Sequence, residues 1–234
     1  TFKNNIRVGT GLLNDRFTAN LRLSQMKSDG YVDRASTDLQ SYYFSAAYLG
    51  DKTTLRFNTF SGNEKTYQAW NGVSEADLKT RRRYNSSGTD RPDEPYGNET
   101  DNYKQDHYQL FFTQKFSPEL VFNTGLFYVK GKGYYEQYKG GEDYADYGLP
   151  SPTYGSTVLE STDLIRRLQL DNDYYGTVFS LQYTKPGTEL TFGGALSKYM
   201  GDHFGTVLWA QNGLPQDNHR WYDNNAVKKD VSVY

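Results

Sequence analysis

The feature that most constrains this chain is an alternation of apolar and polar residues in paired stretches, each pair closed by a very short turn. In "GTGLLNDRFTANLRL" (residues 9 to 23) the turn is Asn14-Asp15. A two-residue hairpin there sets Leu13 against Arg16, Leu12 against Phe17, Thr10 against Ala19, Val8 against Leu21 and Ile6 against Leu23. That face is apolar. The other pairs Gly11 with Thr18, Gly9 with Asn20, Arg7 with Arg22 and Asn5 with Ser24, poor material for the packed interior of a small protein.

The sorting returns three times. A turn at Asp51-Lys52 sets Tyr48 against Leu55, Ala46 against Phe57 and Phe44 against Thr59, with Arg56 on the polar face. A turn at Ser117-Pro118-Glu119 sets Tyr108 against Tyr128, Leu110 against Leu126 and Gln114 against Phe122. The fourth, at Pro186-Gly187, is a type II signal and sets Tyr183 against Leu190 and Leu181 against Phe192. Between the hairpins run long polar segments: 27 to 39, 64 to 104, 133 to 173 and 201 to 229.

Tight turns at one end of a sheet and long loops at the other are the signature of outer-membrane barrels, whose strands need about 9 to 11 residues to cross the bilayer. Eight stretches reach roughly that length. The expected fold is therefore an all-β, antiparallel transmembrane barrel wall, apolar face to lipid and polar face to a lumen. An Arg on the lipid side at the midplane costs about 2 to 4 kcal/mol, and Arg7, Arg22 and Arg56 all take the lumenal parity. Gln114 and Lys198 fall on the apolar parity, but near strand ends, where Lys can snorkel. Tyr42, Phe44, Tyr108, Tyr128 and Tyr175 on one side, and Phe17, Phe57, Phe116, Phe122 and Phe192 on the other, supply two aromatic girdles. A soluble β-sandwich alternates in the same way, with its apolar face turned inward.

Composition fits a barrel better than other classes. Mean hydropathy is −0.84, yet 22 Tyr and 13 Phe bring aromatics to 16%, unlike a disordered chain. No apolar run approaches the roughly 18 residues of a transmembrane helix. A net charge of −2 argues against a nucleic-acid footprint. Absent cysteine excludes disulfides and thiolate metal sites. "VKKDVSVY" (227 to 234) opens a ninth alternating stretch, and the first residues enter mid-strand, so further strands are expected to pair with both edges.

Five stretches, "KTYQAWNGV" (65 to 73), "GNETDNYKQDHYQLFF" (97 to 112), "GKGYYEQYK" (131 to 139), "DLIRRLQLDNDYYG" (163 to 176) and "GDHFGTVLWA" (201 to 210), resemble the barrel of TonB-dependent outer-membrane receptors in the form found in Bacteroidota. The resemblance runs over essentially the whole chain. It implies that residues 1 to 234 are an early to middle part of one 22-stranded barrel whose plug domain lies outside this sequence. It also implies residence in the bacterial outer membrane among its lipids, active uptake of a small-molecule ligand such as an iron-siderophore complex, and contact with the TonB complex through the missing plug. Within the family the cargo is variously an iron complex, haem, cobalamin or a glycan, and no residue here chooses among them. A passive porin, or a soluble carbohydrate-binding or adhesive module, would use the same alternation.

The longest loop combines Arg81, Arg82, Arg83 and Arg91 with Tyr84, Tyr96 and Tyr103, a supply of cations near aromatic faces suited to an anionic or catecholate ligand. The bland alternative is a solvated loop. Tyr67 and Trp70 at its root are expected either to form a stacking shelf or to anchor the loop to the rim. Facing Arg7 and Arg22 need a plug carboxylate, lumenal water or a passing anion to offset them, the plug above all, since like charges directly opposite destabilise a sheet. His107, His203 and His219 are too dispersed for a metal site, the acids lack an EF-hand pattern, and no nucleophile–base pair marks an enzyme. No cofactor is expected.

Overall fold

The computed structural model describes residues 1–234. Its strands are β1 (Phe2–Gly9), β2 (Phe17–Ser28), β3 (Thr37–Leu49), β4 (Thr53–Tyr67), β5 (Thr100–Lys115), β6 (Leu120–Asp143), β7 (Thr153–Tyr154), β8 (Thr157–Val158), β9 (Ser161–Lys185), β10 (Thr188–Ala210) and β11 (His219–Val233). A short helix α1 (Glu75–Thr80) and a 3-10 turn over Tyr144–Tyr147 interrupt the loops. Nine strands form a single antiparallel sheet in the order β1-β2-β3-β4-β5-β6-β9-β10-β11, while β7 and β8 make a separate small hairpin. All eight connections within the large sheet join neighbours, the meander of an up-and-down barrel wall.

The four hairpin registers follow from turn chemistry. Tyr48 pairs with Leu55, Tyr108 with Tyr128, Leu190 with Tyr183 and Val8 with Leu21. Gly187 takes φ 77°, the left-handed residue of a type II turn. At Ser117 the side-chain oxygen accepts from the backbone N–H groups of Glu119 and Leu120, at 3.2 and 3.1 Å, and closes the third turn. One detail of the first hairpin differs from expectation. Asn14 and Asp15 take left-handed φ of 48° and 54°, but Leu13 bridges Phe17 instead of Arg16. The register recovers because Gly11, at φ 67°, absorbs the extra residue of the first strand.

Successive cross-strand rows show what each face carries. One outward row runs Thr59, Tyr108, Tyr128, Tyr175, Lys198, Lys229. The rows toward the tight turns are apolar: Phe57, Leu110, Leu126, Thr177, Leu196, Val231, then Leu55, Phe112, Thr124, Phe179, Gly194, Val233. Leu126, Phe192 and Leu190 stand 50%, 56% and 62% exposed, since no second layer covers this face. From Tyr128 to Leu120 is eight residues, about 27 Å of strand; tilted by about 40°, it spans about 21 Å, close to the roughly 25 Å apolar band of an outer-membrane barrel.

The strands run well past that band. β6, β9 and β10 contain 24, 25 and 23 residues, so β9 reaches about 80 Å end to end. The polar segments expected as loops at 133 to 173 and 201 to 229 are thus largely strand, with connections of only 144–160 and 211–218, whereas 64 to 104 stays mostly a loop, at 68–99. Hydrophobicity falls beyond the apolar band, but backbone pairing does not.

The inner face is also more aromatic than alternation implied. One inner row runs Arg7, Arg22, Tyr43, Phe60, His107, Val129, Tyr174, Tyr199, with Phe60 stacked on His107 at 4.2 Å. Lumenal glycines lie beneath these rings. A Cβ at Gly133 would meet the Tyr103 ring at 2.8 Å, and one at Gly205 would enter the Trp221 and Tyr222 rings. Glycine here lets a cross-strand aromatic lie flat on the sheet.

Candidate functional site

The end of the sheet away from the tight turns carries two separate clusters, one on each face. Strand periodicity separates them: adjacent Arg166 and Arg167 on β9 point to opposite sides.

On the outer side, Arg167 meets Glu136 of β6 at 2.7 Å, directly across the ladder. The Glu136 carboxylate is buried, and it also accepts from the Tyr96 hydroxyl and the Asn98 amide, each at 2.5 Å. Arg167 lies over the Tyr134 ring at 4.0 Å. A buried ion pair holds only when its remaining hydrogen-bonding capacity is met, and residues 96–98 of the long loop meet it. Next along β6, Tyr138 donates to Asp163 at 2.5 Å, and burial with this bond pushes its phenol up to about 12. Glu99 accepts from the Tyr138 backbone N–H at 3.4 Å, and burial raises its carboxyl above the ordinary 4.5. The long loop is pinned by these contacts.

Tyr67 belongs to the same outer cluster. It is buried, and its hydroxyl approaches the carbonyls of Tyr96 and Ser87 at 2.7 and 3.2 Å, the anchoring arrangement. Arg34 completes the clasp, donating to the Tyr67 hydroxyl at 3.1 Å and to the carbonyls of Asn85 and Ser87 at 2.5 and 2.9 Å. Arg34 itself takes φ 62°. Sequence reasoning passed over Arg34 and Glu136; the dense polar pattern around them gave no sign of which loop they would meet.

On the inner side, Trp70 packs edge-on against Tyr135 at 5.2 Å. The inner row through Tyr135 is Thr66, Asp101, Tyr135, Leu168, Gly205, Tyr222. Just above it, Arg166 donates to Gln137 Oε1 at 3.1 Å and to the Tyr147 hydroxyl at 2.7 Å, and Tyr147 donates to Glu142 at 2.5 Å. Burial, then this carboxylate, push the Tyr147 phenol upward. Tyr144, Tyr147, Leu149, Leu164, Val207 and Ala210 close a small apolar core behind the network, with Trp221 packed against it. The inner wall thus offers rings and hydrogen-bonding groups around one committed guanidinium. Lower down, a groove of about 470 Å³ opens among Ser24, Met26, Leu39, Phe60, Tyr103 and His107.

The remaining loop candidates lie apart from both clusters. Arg81 pairs with Asp77 at 2.5 Å and covers Tyr84 at 4.1 Å. Arg83 reaches Asp33 at 3.8 Å, and Arg91 reaches Glu94 at 3.3 Å; Arg82 stands exposed at the loop surface. The six residues Tyr67, Trp70, Arg81, Arg82, Arg83 and Tyr84 therefore occupy three places, and only Trp70 meets the inner wall. Arg7 and Arg22 are direct cross-strand partners on the inner face, and Arg56 shares that face between Ala47 and Phe111.

No protein-family model matches the chain, and no curated protein sequence does. Solved structures do. BauA, the ferric preacinetobactin receptor of Acinetobacter baumannii, superposes on 100% of the chain with a TM-score of 0.63 at 11% identity. The open form of Fiu, the ferric-catecholate import receptor of E. coli K12, superposes on 99% with a TM-score of 0.50 at 12% identity. The chain spans 37% of the first receptor and 48% of the second. At such identities the likeness is one of fold: these nine strands have the architecture of a receptor barrel wall.

Proposed function

We propose that this chain is part of the transmembrane barrel of a TonB-dependent receptor in the bacterial outer membrane, importing a small-molecule ligand such as an iron complex. The observation that carries the reading is the outward face: five apolar cross-strand rows end on the Tyr108, Tyr128, Tyr175 row, beneath strand extensions that are charged and polar. A soluble sandwich would cover that face with a second sheet. Fold likeness to two ferric-complex receptors supports the cargo class, and the Trp70–Tyr135 wall with its Arg166 network is where such a ligand would touch this part of the barrel. On this reading the plug and the TonB-contacting segment belong to other parts of the polypeptide, the inward Arg7, Arg22 and Arg56 face the plug, and the chain performs no chemistry of its own. The form of the barrel is that of Bacteroidota receptors.

The test is intact mass and peptide mapping of the native protein, with its solution behaviour in detergent and in plain buffer. The reading expects a much longer polypeptide with an N-terminal globular region, monodisperse only in detergent. A protein monodisperse in plain buffer with its long-strand β signal intact overturns it.

A further inference from the structure

The sequence contains two Asn-Gly pairs, Asn71-Gly72 and Asn212-Gly213. Such a pair can react with itself, because glycine has no Cβ to shield its backbone nitrogen from the asparagine side chain before it. The structure treats the two pairs differently. Asn71 and Gly72 are exposed at the root of the long loop, outside any helix or strand. The Gly72 N–H makes no hydrogen bond within the chain, and a Cβ built on Gly72 would meet nothing within 4 Å. The Asn71 side chain donates from Nδ2 to Ser86 Oγ at 3.0 Å. At the second pair, Gly213 gives its N–H to the Ala210 carbonyl at 3.0 Å and takes φ 87°, so its nitrogen is occupied until that turn opens. Asn85, followed by the small Ser86, is buried, with its amide bound to the carbonyls of Asp33 and Gln68 at 3.0 and 2.8 Å and its Oδ1 accepting from the Ser87 N–H at 3.1 Å.

We infer that Asn71 is a site of spontaneous covalent modification, its side-chain amide lost through attack by Gly72 and hydrolysis by water. Solvent hydroxide takes the Gly72 N–H proton, and that nitrogen bonds to Asn71 Cγ. The Cγ–Nδ2 bond then breaks, and Nδ2 leaves as ammonia with a proton from water, which regenerates the hydroxide. Water opens the resulting cyclic imide at either carbonyl. The product at position 71 is aspartate or, with the chain rerouted through Cβ and Cγ, isoaspartate. Either one replaces the Nδ2 donor with a carboxylate, one residue from the Trp70 ring that packs on Tyr135 of the inner wall.

The test incubates the intact native protein in mildly alkaline buffer, in detergent or vesicles that keep it folded, beside the same protein unfolded in denaturant. Peptide mass spectrometry reads the exchange of amide for carboxylate at each asparagine, and chromatography separates isoaspartate from aspartate. In the folded protein Asn71 should convert about 5-fold to 10-fold faster than Asn212, the value of one hydrogen bond that has to open first. In denaturant the two rates should converge, because glycine follows both. Gly72→Ala, whose methyl fits the open space there, should slow conversion at Asn71 and leave Asn212 unchanged. Equal rates in the folded protein overturn the inference, as does a difference that persists in denaturant. So does an Asn71 that stays intact in the folded protein while the unfolded protein converts. The inference rests on the loop geometry alone and is tested apart from the barrel reading.

Discussion

Leu55 and Asn58 of β4 lie three residues apart and face opposite sides of the sheet, so they separate the two orientations of the wall in one experiment. Leu55 sits in the central row of the apolar band, beside Tyr48 and Phe112, with 41% of its surface exposed. With the band about 21 Å deep, that row is about 10 Å from either boundary. Arg there cannot snorkel out cheaply, and Leu55→Arg should cost about 2 to 4 kcal/mol, a factor of about 30 to 1,000 in the folding equilibrium. Asn58 faces inward, donating to Gln109 at 3.4 Å and accepting from the Tyr43 hydroxyl at 3.4 Å. Asn58→Arg puts the same charge on the lumenal face and should cost less than about 1 kcal/mol. The assay is reversible denaturant unfolding of the intact protein in lipid vesicles, with both variants at one temperature and lipid composition. If Asn58→Arg proves the more damaging, or the two cost the same, the apolar face does not meet lipid and the orientation argued from periodicity fails.

Three further outcomes follow from the docked loop. Arg34→Ala removes three hydrogen bonds at once and should ease local opening of residues 29–36 and 85–97 by at least about 1.5 kcal/mol, read as faster amide exchange there with the transmembrane strands unchanged. Gly88→Ala should loosen the same loop by about 1 to 3 kcal/mol, because Gly88 takes φ 82° and a Cβ would enter the Tyr67 hydroxyl; normal loop protection in that variant refutes the packing described. Burial raises the Glu99 carboxyl above 4.5 in the docked loop, so the docked state holds its proton more tightly than the open one. Docking should then be firmest at low pH and weaken as pH rises from 4.5 through the raised value, and Glu99→Gln should flatten that part of the exchange profile.

The comparison between sequence and structure divides along contact range. The four hairpin registers were legible because a period of two and a turn of known type leave one pairing that sorts the residues, and a slip by one would exchange the faces. Arg7, Arg22 and Arg56 could be placed on the face opposite the apolar one for the same reason. Trp70 and Tyr67 could be placed near a rim, but not on opposite sides of it. The reach of β6, β9 and β10 beyond the apolar belt was hidden because polar residues continue the backbone ladder as well as apolar ones, while alternation of hydrophobicity, the only signal available, ends with that belt. Arg34, Glu136 and Arg167 were hidden because their partners lie 31 to 53 residues away.

By itself the sequence determined which residues alternate, where the chain turns, and that eight strands and the start of a ninth in one antiparallel wall carry an apolar belt on one side. Those are local facts, set by side-chain size, polarity and backbone preference. Only the tertiary structure decided that the long loop folds back to bury Glu136 against Arg167, that aromatic rings fill the places glycines leave on the inner wall, and that Lys198 stands opposite Lys229. Each of these depends on which atoms of separate strands and loops arrive at the same point, and that is settled by the packing of the whole sheet.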